Sequence, residues 1–319
     1  MKAMKMAFSG FLVAVFSVFC FSLSHASPQV VQFSYANFFP PTHVQAQLGI
    51  AWANEIEKRT NGQVKFTHFP GGALLKGPEI YDGVVRGIAD VGMSVCAYTQ
   101  GRFPSIEAID LPMGYPTGVA ASAIINDFYK KFDLKDFEQV KILYLFAHGP
   151  GLLHSKKLVE KMEDLRGLKI RSTGTSALVS RALGAVPVSL PQSGVYEALQ
   201  KGVAEATWSP VEVLKGWNQA EVINYTIDSY SVGYTQAFFV AMNLRKWESL
   251  PKDIQSVIEE VSREWIKKTG EAWDESDREG REFSESLGNK TITLSEEESA
   301  RWAAAVEPVL EDYIKAAES

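Results

Sequence analysis

The chain has 319 residues, 46% of them hydrophobic, enough to bury a large core and to divide into two domains. Its formal net charge is −6, and its Lys and Arg residues form no stripe or run that could track a phosphate backbone. That excludes a nucleic-acid partner.

The first segment reads as an export leader. Lys2 and Lys5 precede a mostly apolar, uncharged stretch over 7–23, and Ser24, His25 and Ala26 give a small-x-small cleavage pattern. Residues 1–26 are therefore expected to be a signal peptide removed on export to the periplasm. The alternative is an uncleaved membrane anchor, and the cleavage pattern favours removal. Phe19 is too large for a lipobox before Cys20. No other segment approaches the ~18 uncharged apolar residues that a membrane span needs. Loss of the leader leaves Cys96 as the one cysteine, so no internal disulfide can form and stability must come from the core.

Val30 to Tyr35 alternates as a strand does, and Pro40-Pro41 interrupts it. A helix follows over 43–60, with Val44, Leu48, Ala51, Trp52 and Ile56 on its apolar side and Asn61-Gly62 as its stop. A strand over 63–69, a turn at Pro70-Gly71-Gly72, a helix over 78–88 and a strand over 89–98 complete an alternation that predicts α/β structure with a parallel sheet. The pattern returns with strands at 141–148, 168–173 and 186–191, a helix at 176–184, and a helix then a strand over 194–210. Residues 77–95 and 193–211 have the same layout, a helix with a Tyr, then Gly, then a short strand, which points to two similar lobes. A ligand in such a fold sits at the carboxyl ends of strands, in the cleft between lobes. From Pro251 the chain turns helical and charged, with Ile254, Val257, Ile258, Val261 and Trp265 at helical period. A last helix begins near 300.

Arg171 stands where the strand "LKIRST" hands over to a helix. A guanidinium is planar, permanently charged and forked, and it can hold a carboxylate with two hydrogen bonds. The residues alone leave open an ordinary surface Arg or one paired with a structural Asp. Enzyme chemistry is not legible: there is no G-x-S-x-G, no G-x-G-x-x-G and no P-loop. His148 and His154 are not at a metal-ligand spacing, and Cys96 lies in an apolar strand. Neither a cofactor nor a metal is expected, and no catalytic residue is assigned.

The blocks "GGALLKGPEIYDGVVRGIADVG", "IDLPMGY", "EDLRGLKIRSTGTSALVSRALGAVPVSLPQSGVYEALQKGVAEAT" and "NLRKWESLPKDIQSVIEE", in this order behind a leader, resemble the extracytoplasmic solute-binding proteins of TRAP transporters, the DctP-type family. The resemblance runs from about residue 30 to about 270. It implies a two-lobe periplasmic binding-protein fold with two crossing strands and a long helix bracing both lobes. Lobe I is expected at 27–149 plus about 235–275, and lobe II at 150–234 plus about 276–319. It further implies closure on an organic acid, delivery to TRAP permease membrane subunits, and a carboxylate-holding role for Arg171, helped by the helix start that includes Thr173.

The chain departs from the family pattern at two places. Where many relatives have a second arginine it has Pro150 and Gly151. Where many have Asn it has Ser209, preceded by Trp208. These departures predict a monocarboxylate with an apolar or aromatic body rather than a sugar acid or dicarboxylate. Trp208, placed by the motif, is the first expected aromatic contact, and Phe38, Phe39, Tyr98 and Tyr234 are further candidates. Each of these rings is as compatible with core packing as with a ligand. Trp217, on a helix, is expected to pack. A monomer is expected. The competing readings are a binding protein of another transporter class, or an exported enzyme on the same fold.

Overall fold

The computed structural model describes residues 30–318, so the expected signal peptide lies outside the described residues. The elements run β1 (Val31–Asn37), α1 (Val44–Arg59), β2 (Val64–Phe69), α2 (Ile80–Arg86), β3 (Val91–Val95), α3 (Gly118–Lys131), β4 (Val140–Ala147) and β5 (Leu152–Ser155). They continue with β6 (Lys169–Ser172), α4 (Ser176–Ala182), β7 (Val186–Ser189), α5 (Val195–Gln200), β8 (Ala206–Ser209), α6 (Val213–Gly216) and β9 (Tyr225–Asp228). The last are β10 (Ala237–Asn243), α7 (Leu244–Glu248), α8 (Lys252–Ser286), β11 (Lys290–Thr293) and α9 (Glu296–Ala317).

Two sheets result. Lobe I is built on the order β2-β1-β3-β10-β4 and lobe II on β11-β9-β5-β8-β6-β7. The βαβ units give parallel pairs, β1 with β2 and β3, and β6 with β7 and β8. The sheets are mixed rather than parallel throughout. β10 returns from lobe II and inserts antiparallel between β3 and β4, while β5 leaves lobe I and runs antiparallel to β8 and β9. Each crossing strand enters its second sheet against the direction set by that lobe's own βαβ units. The two crossings meet in one antiparallel bridge, Gly151 with Tyr234.

Local chemistry fixes the ends that shape the cleft. His43 caps α1, its Nδ1 accepting the Gln45 N–H at 3.1 Å. The helix closes at Thr60, and the chain leaves through Asn61 and Gly62, both with positive φ. Lobe I has one continuous core running from Phe33, Tyr35 and Trp52 to Phe238 and Trp273. Lobe II has two smaller clusters, one around Trp208 and Trp302, the other around Leu152, Leu199 and Leu214.

Helix α8 joins these bodies. Its 35 residues rise about 52 Å at 1.5 Å each. Its first part lies on α1, α3 and β4, and its last part on α6 and β11. Two glycines bring its backbone against each lobe. A Cβ at Gly270 would lie 2.7 Å from Val119 Cα in lobe I, and one at Gly280 would lie 2.4 Å from the Val211 carbonyl oxygen in lobe II. Two carboxylates work alongside them. Asp274 accepts the N–H groups of Gly118 and Val119 at the start of α3 (2.5 and 3.2 Å), and Asp277 accepts the Glu212 N–H at 2.7 Å. Among the described residues no helix is long and apolar enough to cross a membrane.

Candidate functional site

Between the lobes lies a cavity lined by residues of both. Its centre of charge is Arg171, at the carboxyl end of β6. The strand positions it where an α/β sheet presents ligand-binding side chains. Two backbone carbonyls then aim the guanidinium: Nε donates to Leu190 at 3.0 Å and Nη1 to Trp208 at 3.4 Å. The residue is only 4% exposed, and burial pulls its pKa down. It pairs with no carboxylate among the described residues; the groups acting on its charge are the hydroxyls of Tyr98 and Tyr234. A buried cation without a counter-charge is costly, and an anion brought to it recovers that cost.

Seven Phe, Tyr and Trp rings are the largest group in the remaining wall. Phe38 and Phe39 stack on each other with centroids 4.2 Å apart. Tyr98 meets Phe38 edge-on at 5.4 Å, and Trp217 lies nearly parallel to Phe38 at 6.4 Å. Phe238 and Trp273 continue the same surface, 5.7 Å from each other. Arg171 is the only Lys or Arg among the lining residues.

Three polar contacts tie the lobes across the cleft. The Gln192 N–H donates to the Tyr98 hydroxyl at 3.0 Å. The Gln236 side chain donates to Thr173 Oγ1 at 2.8 Å. His43 Nε2 lies 2.5 Å from Glu212 Oε1, both side chains buried. Because His43 Nδ1 already accepts a backbone N–H, the proton sits on Nε2 and is donated to Glu212.

The expected site residues divide. Arg171, Ser209, Phe38, Phe39, Tyr98 and Tyr234 line the cavity. Tyr98 does so from a short turn after β3 rather than from the strand itself. Thr173 does not line it. Its hydroxyl holds Gln236, which does, and its N–H is taken by Ser176 Oγ at 3.0 Å, so the start of α4 is satisfied internally.

Trp208 is a correction. Its indole is fully buried in the lobe II core, where Nε1 donates to Ser180 Oγ at 3.0 Å. The reason is strand alternation: neighbours on β8 point to opposite faces, so with Ser209 in the cavity Trp208 must turn away. Trp217, expected to pack, supplies the lobe II ring instead, just past α6. Sequence reasoning also missed Gln192, Glu212, Gln236 and Trp273, and weighed His148 only as a metal ligand. The usable signal for His148 was its place at the carboxyl end of β4.

Gly151 stands where the resemblance leads one to expect a second arginine. A Cβ there would lie 2.2 Å from the Tyr234 ring. No side chain fits while Tyr234 holds its place, so this wall carries no second cation. His148 beside it is neutral at ordinary pH, because burial lowers its pKa to about 4. Among the described residues no group of three or more His, Cys, Asp or Glu side chains is placed to hold a metal ion.

Over residues 35–316 the chain matches the family described as bacterial extracellular solute-binding protein, family 7, or DctP. It belongs to that family. Among solved structures similar to this DctP-family chain is a TRAP solute-binding protein from a marine metagenome, specific for aromatic acid ligands and in complex with 3-hydroxybenzoate. It is 30% identical, with a TM-score of 0.86, covering 91% of this chain and 93% of that one. A TRAP solute-binding protein from Rhodoferax ferrireducens, in complex with copurified benzoate, is 26% identical with a TM-score of 0.85, covering 90% and 91%. The C4-dicarboxylate-binding periplasmic protein DctP of Rhodobacter capsulatus is 25% identical over 291 residues, 89% of this chain and 86% of that one. The chain is thus a two-lobe TRAP solute-binding protein in family and fold.

Proposed function

We propose that this protein captures an aromatic monocarboxylate in the periplasm by closing its lobes and delivers it to the membrane subunits of a TRAP permease. The observation that carries the reading is Arg171, a buried guanidinium that pairs with no carboxylate among the described residues, in a cavity whose wall also carries the rings of Phe38, Tyr98, Trp217, Phe238 and Trp273. The carboxylate pairs with Arg171 and the flat body stacks on the rings. A second carboxylate would find no second Lys or Arg in the wall to pair with it. The similar structures with benzoate and 3-hydroxybenzoate support the aromatic class, and the dicarboxylate-binding relative is the competing precedent.

The two sheets and their helices move as the lobes, 27–149 with about 235–275 and 150–234 with about 276–319, and the protein works as a monomer. Closing excludes water, which strengthens the ion pair. Nothing in this reading requires catalysis.

The test is a thermal-shift screen of refolded, ligand-stripped protein against aliphatic, keto, sugar, dicarboxylic and aromatic acids. A ligand at 100 times its Kd adds about 2.7 kcal/mol, a shift of several degrees for a chain of this size. Aromatic monocarboxylates are expected to give the largest shifts. Shifts from dicarboxylic or sugar acids alone would overturn the reading.

A further inference from the structure

The cavity carries polar atoms that the carboxylate reading does not use. His148 is 1% exposed and lines the wall. Its Nδ1 lies 2.5 Å from the Gly149 carbonyl oxygen, which can only accept, so Nδ1 bears the ring proton. The ring is neutral, so Nε2 is a bare lone pair, and it has no partner among the described residues. Trp273, 2% exposed, lines the same wall from α8, and its Nε1–H, which can only donate, likewise has no partner among the described residues. The two rings sit edge to face with centroids 5.9 Å apart. Glu212 Oε2 is a second acceptor without a partner in a residue that lines the cavity.

The large majority of buried polar atoms in native proteins have a hydrogen-bond partner, protein, water or ligand. An acceptor and a donor on two rings that meet edge to face along one cavity wall fit one small group that both donates and accepts. A carboxylate cannot donate, a ring C–H does neither usefully, and an ether cannot donate. A hydroxyl does both: its proton goes to His148 Nε2 and its oxygen takes the Trp273 N–H.

Building on the proposed aromatic monocarboxylate, we infer that the ligand also bears a hydroxyl, on the ring or on the carbon next to the carboxylate, read by His148 and Trp273 as positioning and specificity-determining residues. Arg171 takes the anionic end, with the side-chain Nε2 of Gln192, which has no partner among the described residues, in a residue that lines the same cavity. A site built around a hydroxyl rejects the analogue that lacks it, because the protein groups are then left unpaired.

The experiment is calorimetric titration of ligand-stripped protein with matched sets: benzoate, its 3- and 4-hydroxy derivatives and their methyl ethers; and phenylacetate, mandelate and the hydroxyphenylacetates. At least one hydroxylated member is expected to bind about 30-fold or more tighter than its parent, and its methyl ether no tighter than the parent. His148→Phe, which keeps a ring but removes the acceptor, is expected to bring the hydroxyl-to-parent ratio close to one. Trp273→Phe is expected to reduce the ratio in the same sense. The ligand series on the unaltered protein stands even if either variant folds poorly. Parent acids that bind as tightly as every hydroxylated partner would overturn the hydroxyl while leaving the aromatic-acid reading in place; a buried water would then be the group that His148 and Trp273 hold. Failure of every aromatic acid, with binding of a dicarboxylate, would overturn both.

Discussion

The two walls of the cleft are made of different material. The lobe I wall, Phe38, Phe39, Val95, Phe238 and Trp273, is the end of that lobe's continuous core. The lobe II wall hangs its polar groups, Arg171, Gln192, Ser209 and Glu212, on strand ends and short turns. Packed rings add contact area and share a load among many neighbours, so each one counts for a modest amount. A single buried charge is all or nothing. Lobe II should therefore decide whether an acid binds, and lobe I how well its body is held.

Removing the charge tests the sharper half. Arg171→Ala is expected to weaken binding of the best acid by 100-fold or more, about 3 kcal/mol. Its circular dichroism should stay native; unchanged affinity by calorimetry would erase the contrast between the walls. Trp217→Ala is expected to cost about tenfold, near 1.4 kcal/mol, as one ring among several. A loss equal to that of Arg171→Ala would make the lobe II ring as decisive as the charge.

Helix α8 serves both walls one turn apart, Trp273 on lobe I and Asp277 under Glu212 on lobe II. Burial raises the Asp277 pKa from 3.8 to about 8. A carboxyl raised in the folded state gives stability at low pH that is lost as pH rises through its folded value. Ligand-free protein is therefore expected to lose about 1 kcal/mol between pH 7 and 8.5. Denaturant melts should show that loss and Asp277→Asn should reduce it, with any remainder of the same sign belonging to Asp110, whose carboxyl burial also raises. His148 and His154, both lowered to about 4 by burial, change charge below this window in either state. A comparable loss in Asp277→Asn would assign the slope to another group. The smallest effect belongs behind the wall. Trp208→Phe forfeits the bond to Ser180 and should cost about 1 kcal/mol of stability, with affinity unchanged.

How much of this was legible in the sequence depends on range. The place of Arg171 at a strand end was readable because a strand-to-helix handover is a local pattern, while a carboxylate-holding role for it was implied only by the family resemblance. The 3.6 period of Ile254, Ile258, Val261 and Trp265 announced α8. Trp208 and Trp217 exchanged roles because the motif gives an address along the chain but not a face; alternation on β8, applied to Ser209, would have turned Trp208 inward. Trp273 and Gln192 had no local signal, since each reaches the cavity only through the docking of distant elements. The mixed direction of the sheets was hidden for the same reason. β10 reads as an ordinary buried strand, and its antiparallel place between β3 and β4 is set by the crossing from lobe II.

Cys96 opens the short turn just after β3 in lobe I and is fully buried, with its thiol pKa raised far above the usual value by burial. It is the one cysteine among the described residues. A thiol in that state does not react with a disulfide reagent until the surrounding shell opens. The molecule thus carries its own clock: the rate at which Cys96 becomes modifiable counts openings of lobe I without any added probe, and a bound acid should slow that count.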